Sequence, residues 1–157
     1  MLFLLPVCIL IVDRVTKIWA QQSLAMQPGG MIPWPNMLRL IYAENTGMAF
    51  GMLSGQRWLL VLLSIAAVII VVISLRPYQL GLWAKLSLLC VMGGMTGNLL
   101  DRILFGYVVD MFDLMFIRFA IFNVADIFIT LGAVMLCISL LFRPGDWKKK
   151  EEKPLLP

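Results

Sequence analysis

Four long apolar runs dominate the sequence and limit what it can fold into. They cover about residues 2–20, 58–75, 82–104 and 121–142, and each is close to the roughly 20 residues that a helix needs to cross the hydrocarbon of a bilayer. With 61% hydrophobic residues, 14% charged residues and a mean hydropathy of +0.92, the composition excludes an ordinary soluble domain. We therefore predict a mainly α-helical membrane protein with four transmembrane helices, in which residues 1–157 form a single integral membrane domain.

Basic residues cluster on one side of these runs. Arg76 and Lys85 lie next to the turn between the second and third runs, and residues 143–157 carry four lysines and one arginine. Because Lys and Arg collect in cytoplasmic loops, we predict that both termini are cytoplasmic and that residues 143–157 are a cytoplasmic tail. This placement also accounts for the formal charge of +4, so we expect membrane lipids as neighbours and no nucleic-acid partner.

The two segments that would then face outward have different patterns. Residues 28–55 are rich in Pro and Gly, and the partly alternating stretch MLRLIYA suits a short strand. A connection of this length is usually functional, so we expect a small β-platform on the outer leaflet between the first two helices. The second segment, FGYVVDMFDLMFIRFAIF, mixes aromatic and charged residues, and we interpret it as an interfacial segment between the last two helices.

The sequence contains no histidine. Its absence removes Ser-His and Cys-His catalysis as well as histidine-based zinc sites. The three cysteines, Cys8, Cys90 and Cys137, each lie inside an apolar run without the spacing of a metal site or a disulfide framework, so we interpret them as packing residues. Any chemistry must therefore rely on carboxylates, hydroxyls, lysines or backbone groups.

Two polar motifs inside the apolar runs have a structural interpretation. In DRVTK, Asp13 and Lys17 are four residues apart and share a helical face, which predicts an ion pair near the interface. In GGMTGNLLDR, Asn98, Asp101 and Arg102 also share a face, and the glycines allow another helix to approach closely. We expect these three side chains to satisfy one another and to support a site from behind.

Asp110 and Asp126 are harder to explain by structure alone. Asp110 follows the third run and Asp126 begins the fourth, so both belong to the outer face. For Asp126 the alternative is helix capping, with Asn123 as the N-cap and the acid in the first turn. Capping leaves a second unpaired acid at the same depth unexplained. Two carboxylates in a low-dielectric site share a proton and can activate water, so we hypothesise an aspartic protease pair.

Five motifs occur in one order along nearly the whole chain: DRVTK, ENTGMAF, GGMTGNLLDR, VVDMFD and FNVADIFITLG. In these motifs the chain resembles lipoprotein signal peptidase, also called signal peptidase II, a family of bacterial membrane aspartic proteases. The resemblance implies residence in the cytoplasmic (inner) membrane, with the active site toward the outer face. It also implies that the outer platform is a strand-built cradle that helps to clamp the substrate.

The resemblance carries residue roles as well. It implies that Asp110 and Asp126 are the catalytic pair. It further implies supporting or substrate-binding roles at the family's recurrent polar and glycine positions, which here are Asp13, Lys17, Asn45, Gly47, Gly94, Asn98, Asp101, Arg102 and Asn123. The implied activity is removal of the signal peptide from a prolipoprotein, just before a cysteine that carries a diacylglyceryl group. The resemblance also implies sensitivity to the antibiotic globomycin and no need for a metal. We further expect no other cofactor and a monomeric state.

Two other classes of protein compete with a protease. A small four-span proton-coupled transporter would use Asp126 or Asp13 as its protonation site, because buried carboxylates serve that role too. It would also predict a weak internal repeat and acids near the midplane, neither of which the sequence contains. A non-enzymatic scaffold would explain the glycines of GGMTG, but it would leave Asp110 and Asp126 without a role.

Overall fold

The computed structural model describes residues 2–150, which form four long helices and two small sheets. The helices are α1 (Leu4–Ser23), α2 (Arg57–Leu75), α3 (Leu82–Leu104) and α4 (Val124–Phe142). The strands are β1 (Met31–Trp34), β2 (Leu38–Asn45), β3 (Tyr78–Leu80), β4 (Val108–Leu114) and β5 (Trp147–Lys149). Each predicted apolar run coincides with one helix, with ends displaced by a few residues. The far end of the predicted tail, residues 151–157, lies outside the described residues.

The helices bury small and polar residues and expose large apolar ones. In α1 the buried residues Ile9, Asp13, Lys17 and Ala20 recur every three or four positions and form one face. The opposite surfaces are apolar, and Leu141 near the end of α4 is 74% exposed. This pattern is the reverse of a soluble bundle and is typical of helices surrounded by lipid.

Two of the four helices are long and apolar enough to cross a membrane on hydropathy alone. They are α2 and α4, with mean hydropathies of 3.0 and 2.4. The other two, α1 and α3, carry charged residues that pack against each other in the interior, which lowers their hydropathy. Hydropathy therefore identifies α2 and α4, while α1 and α3, which hold the polar interior, are less apolar.

A three-stranded antiparallel sheet in the order β1-β2-β4 covers the end of the bundle where α1 and α3 end and where α2 and α4 begin. Strands β1 and β2 confirm that the segment between α1 and α2 contains β-structure. Strand β4 differs from the prediction, because it belongs to the segment that we interpreted as interfacial and instead completes the sheet. Its apolar residues Val109 and Met111 pack against Ala20 and Leu24 from the end of α1, which anchors the sheet to the bundle.

The other end of the bundle carries a second, two-stranded sheet. Strand β5 pairs with β3 of the turn between α2 and α3, with Tyr78 opposite Lys149 and Leu80 opposite Trp147. Residues 143–150, which we predicted only as part of a tail, are therefore folded against the bundle. Two strands of three residues have no periodicity that a sequence pattern would reveal.

Close packing of α3 on α4 depends on Gly94. A Cβ at this position would collide with the backbone carbonyl of Ala125 and would lie 2.7 Å from the Ile129 side chain. We expect Gly94→Ala to lower the free energy of unfolding by about 1–3 kcal/mol, because the start of α4 must move away. Thermal denaturation followed by tryptophan fluorescence measures the change. Gly145→Ala is the matched control, since a Cβ there meets nothing within 4 Å; equal melting curves for the two variants would contradict the packing role.

Candidate active site

Asp110 lies in the middle of β4, where the chain is held from both sides. Ala43 of β2 pairs with Asp110 on one side. On the other side, the residue before the cap of α4, Phe122, donates its backbone N–H to the Phe112 carbonyl at 3.1 Å and accepts from the Met111 backbone at 2.9 Å. The start of α4 is thereby brought against β4.

Both oxygens of the Asp110 carboxylate accept a hydrogen bond from an asparagine. Asn123 Nδ2 donates to Oδ1 at 2.6 Å, and Asn45 Nδ2 donates to Oδ2 at 2.9 Å. Asn45 reaches Asp110 because the two residues occupy diagonal positions on the same face of the β2-β4 pair. The sheet therefore supplies one amide and the start of α4 supplies the other.

Asp126 is the third residue of α4 and is held by the same asparagine. Its Oδ2 accepts the backbone N–H of Asn123 at 3.1 Å, and its own N–H donates to Asn123 Oδ1 at 3.0 Å. This is the capping box that we considered as the alternative explanation. Capping occupies Oδ2, while Oδ1 accepts a further hydrogen bond from Asn98 Nδ2 at 2.8 Å. Asn123 thus contacts both aspartates at once.

Lys17 fixes the orientation of the Asn98 side chain. Its ammonium donates to Asn98 Oδ1 at 2.9 Å, which directs the amide NH₂ group toward Asp126. Lys17 is only 1% exposed, and its charge is balanced by Asp13 Oδ2 at 2.7 Å and Asp101 Oδ2 at 2.8 Å. The predicted Asp13–Lys17 pair is confirmed.

The two acids around Lys17 also bind elsewhere. Asp13 Oδ1 accepts the backbone N–H of Ala125 at 2.9 Å, which ties α1 to the first turn of α4. Asp101 Oδ1 lies 3.3 Å from Arg14 Nη1. Asp101 therefore pairs with α1, whereas we expected it to pair with Asn98 and Arg102 in its own helix.

Arg102 connects α3 to the loop after β2. Its Nη2 donates to the Gly47 carbonyl at 2.7 Å, and its Nη1 lies 3.4 Å from the Asn98 carbonyl. The Gly47 N–H in turn donates to Asn45 Oδ1 at 2.9 Å, which turns the Asn45 amide toward Asp110. A Cβ at Gly47 would lie 2.5 Å from the Met52 carbonyl oxygen, so the loop has room only for glycine.

A cavity of about 490 Å³ opens in front of the two aspartates. Six of the predicted site residues line it: Asn45, Asn98, Arg102, Asp110, Asn123 and Asp126. The remaining wall is largely apolar and includes Phe50, Phe119 and Ile121. Sequence reasoning missed these apolar residues as part of the site, although the aromatic content of both outer segments was a usable signal. The arrangement can hold an apolar ligand against two carboxylates.

The environment of Asp110 favours its neutral form. Burial of the carboxyl group raises the pKa of Asp110 to about 6, and the negative charge of Asp126 adds to the rise. The hydrogen bonds from Asn45 and Asn123 and the charge of Lys17 lower the pKa and only partly oppose burial. Asp110 therefore keeps its proton to a higher pH than an ordinary aspartate does.

Within the described residues 2–150, no group of three or more Cys, Asp or Glu side chains could hold a metal ion. Of the predicted positions that do not line the cavity, Asp13, Lys17 and Asp101 lie behind Asn98, Gly47 binds Arg102, and Gly94 lies beneath Ala125. All eleven positions therefore belong to one connected region.

The chain is similar to known proteins in both sequence and structure. The family model of signal peptidase (SPase) II matches residues 5–142. A lipoprotein signal peptidase of Clostridioides difficile is 35% identical over 144 residues, which are 90% of this chain and 96% of the relative. One of Streptococcus pyogenes serotype M5 is 35% identical over 153 residues, which are 96% of this chain and 95% of the relative.

Two solved structures also superimpose on the chain. A bacterial membrane enzyme determined by the in meso method at 2.3 Å resolution has a TM-score of 0.82 and 30% identity, and the match covers 97% of this chain and 94% of that one. Another, at 1.9 Å, has a TM-score of 0.79 and 31% identity over 90% of this chain and 93% of that one. The chain therefore belongs to the signal peptidase II family and is a protease of bacterial membranes.

Proposed function

We propose that this chain is an aspartic endopeptidase that removes signal peptides from diacylglyceryl-modified prolipoproteins, cutting just before the lipidated cysteine. Relatives named lipoprotein signal peptidase support this substrate class. The observation that carries the mechanism is the double contact of Asn123, whose side chain binds Asp110 and whose backbone binds Asp126. The two carboxylates consequently face one cavity.

The environments of the two aspartates support different roles. Asp110 is 2% exposed and its pKa is raised, so it is the acid that holds the shared proton. Asp126 is less buried and lines the same cavity, so it is the carboxylate that binds the attacking water. This division is the one that general acid-base catalysis of peptide hydrolysis requires.

The reaction then proceeds in two steps. Asp126 takes a proton from water while the water oxygen bonds to the scissile carbonyl carbon, and Asp110 gives its proton to the carbonyl oxygen. The resulting diol collapses as the C–N bond breaks, the amine of the cysteine takes the proton from Asp126, and one hydroxyl proton returns to Asp110. The products are a signal peptide with a free carboxyl group and a lipidated cysteine with a free amino group.

The membrane placement follows from the same proposal. All four helices cross the bilayer, and the charges of α1 and α3 are paired with each other in the interior. The chain forms one domain and works as a monomer. Both termini are cytoplasmic, and the β1-β2-β4 sheet lies on the outer leaflet beside the aspartates. The two acyl chains of the substrate hold it in that leaflet, and the apolar wall of the cavity receives the lipidated end.

No contact of Asp13 favours the transporter alternative. A protonation site needs a carboxylate that can gain and lose its proton, whereas Asp13 is engaged by the Lys17 ammonium and by the Ala125 N–H. Asp126 lines a cavity together with Asp110, and the peptidase proposal requires such a second carboxylate whereas a single protonation site does not.

Cleavage of a diacylglyceryl-modified precursor by the purified protein tests the proposal. The cut and uncut forms are separated by gel mobility, and the same precursor without the lipid is the control. We expect cleavage of the lipidated form alone, and inhibition of it by globomycin. Equal cleavage of both forms would contradict the substrate class, and no cleavage of either would contradict the activity.

The pKa of Asp110 predicts how activity depends on pH. A carboxyl group with a raised pKa is protonated below that value and loses its proton as the pH rises through it, so we expect kcat/KM to fall above about pH 6. Asn45 donates a hydrogen bond that favours the ionised form. Asn45→Ala should therefore move the alkaline limb of the pH profile to higher pH, even if kcat falls at every pH.

Thr46→Ala is the matched control for this shift. Thr46 is adjacent to Asn45, but its hydroxyl bonds Ser54 at 2.7 Å in an exposed position. Its loss should leave the position of the alkaline limb unchanged. An alkaline limb that stays in place or moves to lower pH in Asn45→Ala would show that Asn45 does not tune Asp110.

A further inference from the structure

The end of the bundle farthest from the aspartates carries a folded basic surface. We call residues 143–150, together with β3 against which they lie, the C-terminal strap. Its backbone is fixed by the β3-β5 pairing and by the Gly81 N–H, which donates to the Asp146 carbonyl at 2.9 Å. Neither the proposed reaction nor the candidate active site uses this part of the chain.

Asp146 holds the strap on the bundle. It is buried, and its Oδ2 accepts from Ser139 Oγ at 3.2 Å and from Arg143 Nε at 3.0 Å. Trp147 reaches the same serine through its indole N–H at 3.1 Å and stacks edge-on against Tyr78. The strap is therefore attached to α4 by buried polar groups and to β3 by an aromatic pair.

Six exposed cations surround these anchors. They are Arg76, Lys85, Arg143, Lys148, Lys149 and Lys150. Within residues 76–85 and 143–150 the only acid is Asp146, which is buried and paired with Arg143. Within these two ranges the other five cations have no acidic partner, and Glu151 and Glu152 follow Lys150 in the sequence. The surface consequently presents a net positive charge.

Large apolar side chains lie directly beside the cations. Leu82, Leu141 and Phe142 are 61%, 74% and 75% exposed. Arg143 stands over the ring of Trp83 at 5.4 Å, at the boundary between the charged and the apolar surface. A phospholipid contacts both the cations, with its headgroup, and the apolar band, with its acyl chains, whereas a soluble acidic protein or a nucleic acid would contact the cations alone.

We propose that the C-terminal strap is a binding surface for the headgroups of anionic phospholipids in the cytoplasmic leaflet. The charges of Lys148, Lys149 and Lys150 attract the phosphates, and the exposed apolar side chains beneath them contact the acyl chains. Strand β5 fixes the backbone of Lys148 and Lys149, and the Lys150 N–H donates to the Pro77 carbonyl at 2.7 Å. Their ammonium groups therefore stay at the level of the headgroups.

The fraction of immobilised spin-labelled lipid in proteoliposomes measures this preference. The full-length protein is reconstituted in phosphatidylcholine with a trace of spin-labelled phosphatidylglycerol or of spin-labelled phosphatidylcholine. We expect the wild type to select phosphatidylglycerol, and the triple variant K148Q/K149Q/K150Q to lower the selectivity ratio at least about threefold, since each basic residue near a surface contributes to the attraction. Raising the salt from about 0.1 M to about 1 M should lower the wild-type ratio.

The charge-preserving variant K148R/K149R/K150R is the matched control and should keep the wild-type ratio. Equal melting temperatures of the three proteins show that the strap remains folded. Three results would overturn the proposal: no selectivity in the wild type, selectivity retained in the glutamine variant, or binding of a soluble oligonucleotide or acidic polypeptide to the strap without selectivity for the anionic lipid. None of these measurements depends on the proposed peptidase activity.

Discussion

Asp126→Asn and Asp110→Asn are each expected to lower kcat for a diacylglyceryl-modified precursor by at least about 10³-fold. Asparagine preserves the shape of the side chain but cannot take a proton from water or return it to the leaving amine. The two carboxylates act in one cycle, so the double variant should be little worse than either single variant. Single-turnover cleavage followed by gel mobility measures the effect directly.

The stability of Asp110→Asn separates a catalytic role from a structural one. In the folded wild type the pKa of Asp110 is about 6, above the ordinary value of 3.8. Ionised Asp110 therefore destabilises the folded state by about 3 kcal/mol. With a raised pKa, the stabilisation is present below about pH 4 and is lost as the pH rises through about 6. Asparagine removes this cost, but its NH₂ group must face one of the two amide donors that bind Asp110. Above about pH 7 we therefore expect the stability of the variant to lie within about 2 kcal/mol of the wild type. A variant that loses both activity and stability would instead indicate a structural role.

Asp113→Asn is the matched control, because Asp113 lies in the same strand three residues after Asp110. Its carboxylate pairs with Arg39 at 2.6 Å, away from the cavity. Neutralising it should leave kcat within about threefold of the wild type, because Asp113 does not line the cavity. The fold should also be kept, because a partly exposed ion pair contributes little to stability. Near-normal cleavage by either Asp110→Asn or Asp126→Asn would exclude that residue from the catalytic pair.

Lys17→Met is expected to have the largest effect on stability. The methionine would fill a similar volume, but it would leave the buried carboxylates of Asp13 and Asp101 without the cation that lies 2.7 and 2.8 Å from them. Removing one partner of a buried ion pair costs about 3–5 kcal/mol. We expect a large fall in the thermal denaturation midpoint, which tryptophan fluorescence in detergent can follow.

Two further variants test the physical reason for this loss. Arg14→Gln removes a cation from the same helix, but Arg14 is 47% exposed at its side chain and lies 3.3 Å from Asp101, so it should cost less than about 1 kcal/mol. Combining Lys17→Met with Asp101→Asn should recover part of the stability, because one stranded charge is removed with the cation. If Lys17→Met alone melts with the wild type, the buried cation does not stabilise the fold.

Local sequence patterns predicted the parts of the fold that depend on local spacing. The apolar runs gave the helices, and the four-residue spacing predicted the Asp13–Lys17 pair that the structure contains. The capping pattern of Asn123 and Asp126 is also present as a capping box. In each case the interacting groups lie within one or two helical turns, where spacing determines geometry.

Contacts between distant parts of the chain were not predictable in this way. Lys17 meets Asn98 across 81 residues, and Arg39 meets Asp113 across 74. Asp101 could pair with Arg102 beside it or with Arg14 and Lys17 in another helix, and only the packing of α1 on α3 decides between them. The dual role of Asn123 depends likewise on how β4 meets the start of α4.

The pairing of β2 with β4 has a consequence for the order in which the chain is made. Strand β2 leaves the ribosome long before its partner, because α2 and α3 must be synthesised between them. Asn45 then has no Asp110 to bind, and Lys17 has no Asn98. On the proposed mechanism, a nascent chain that ends with α3 cannot cleave a signal peptide, because Asp110 and Asp126 both lie after α3. The active site is then completed only when the last third of the chain has been made.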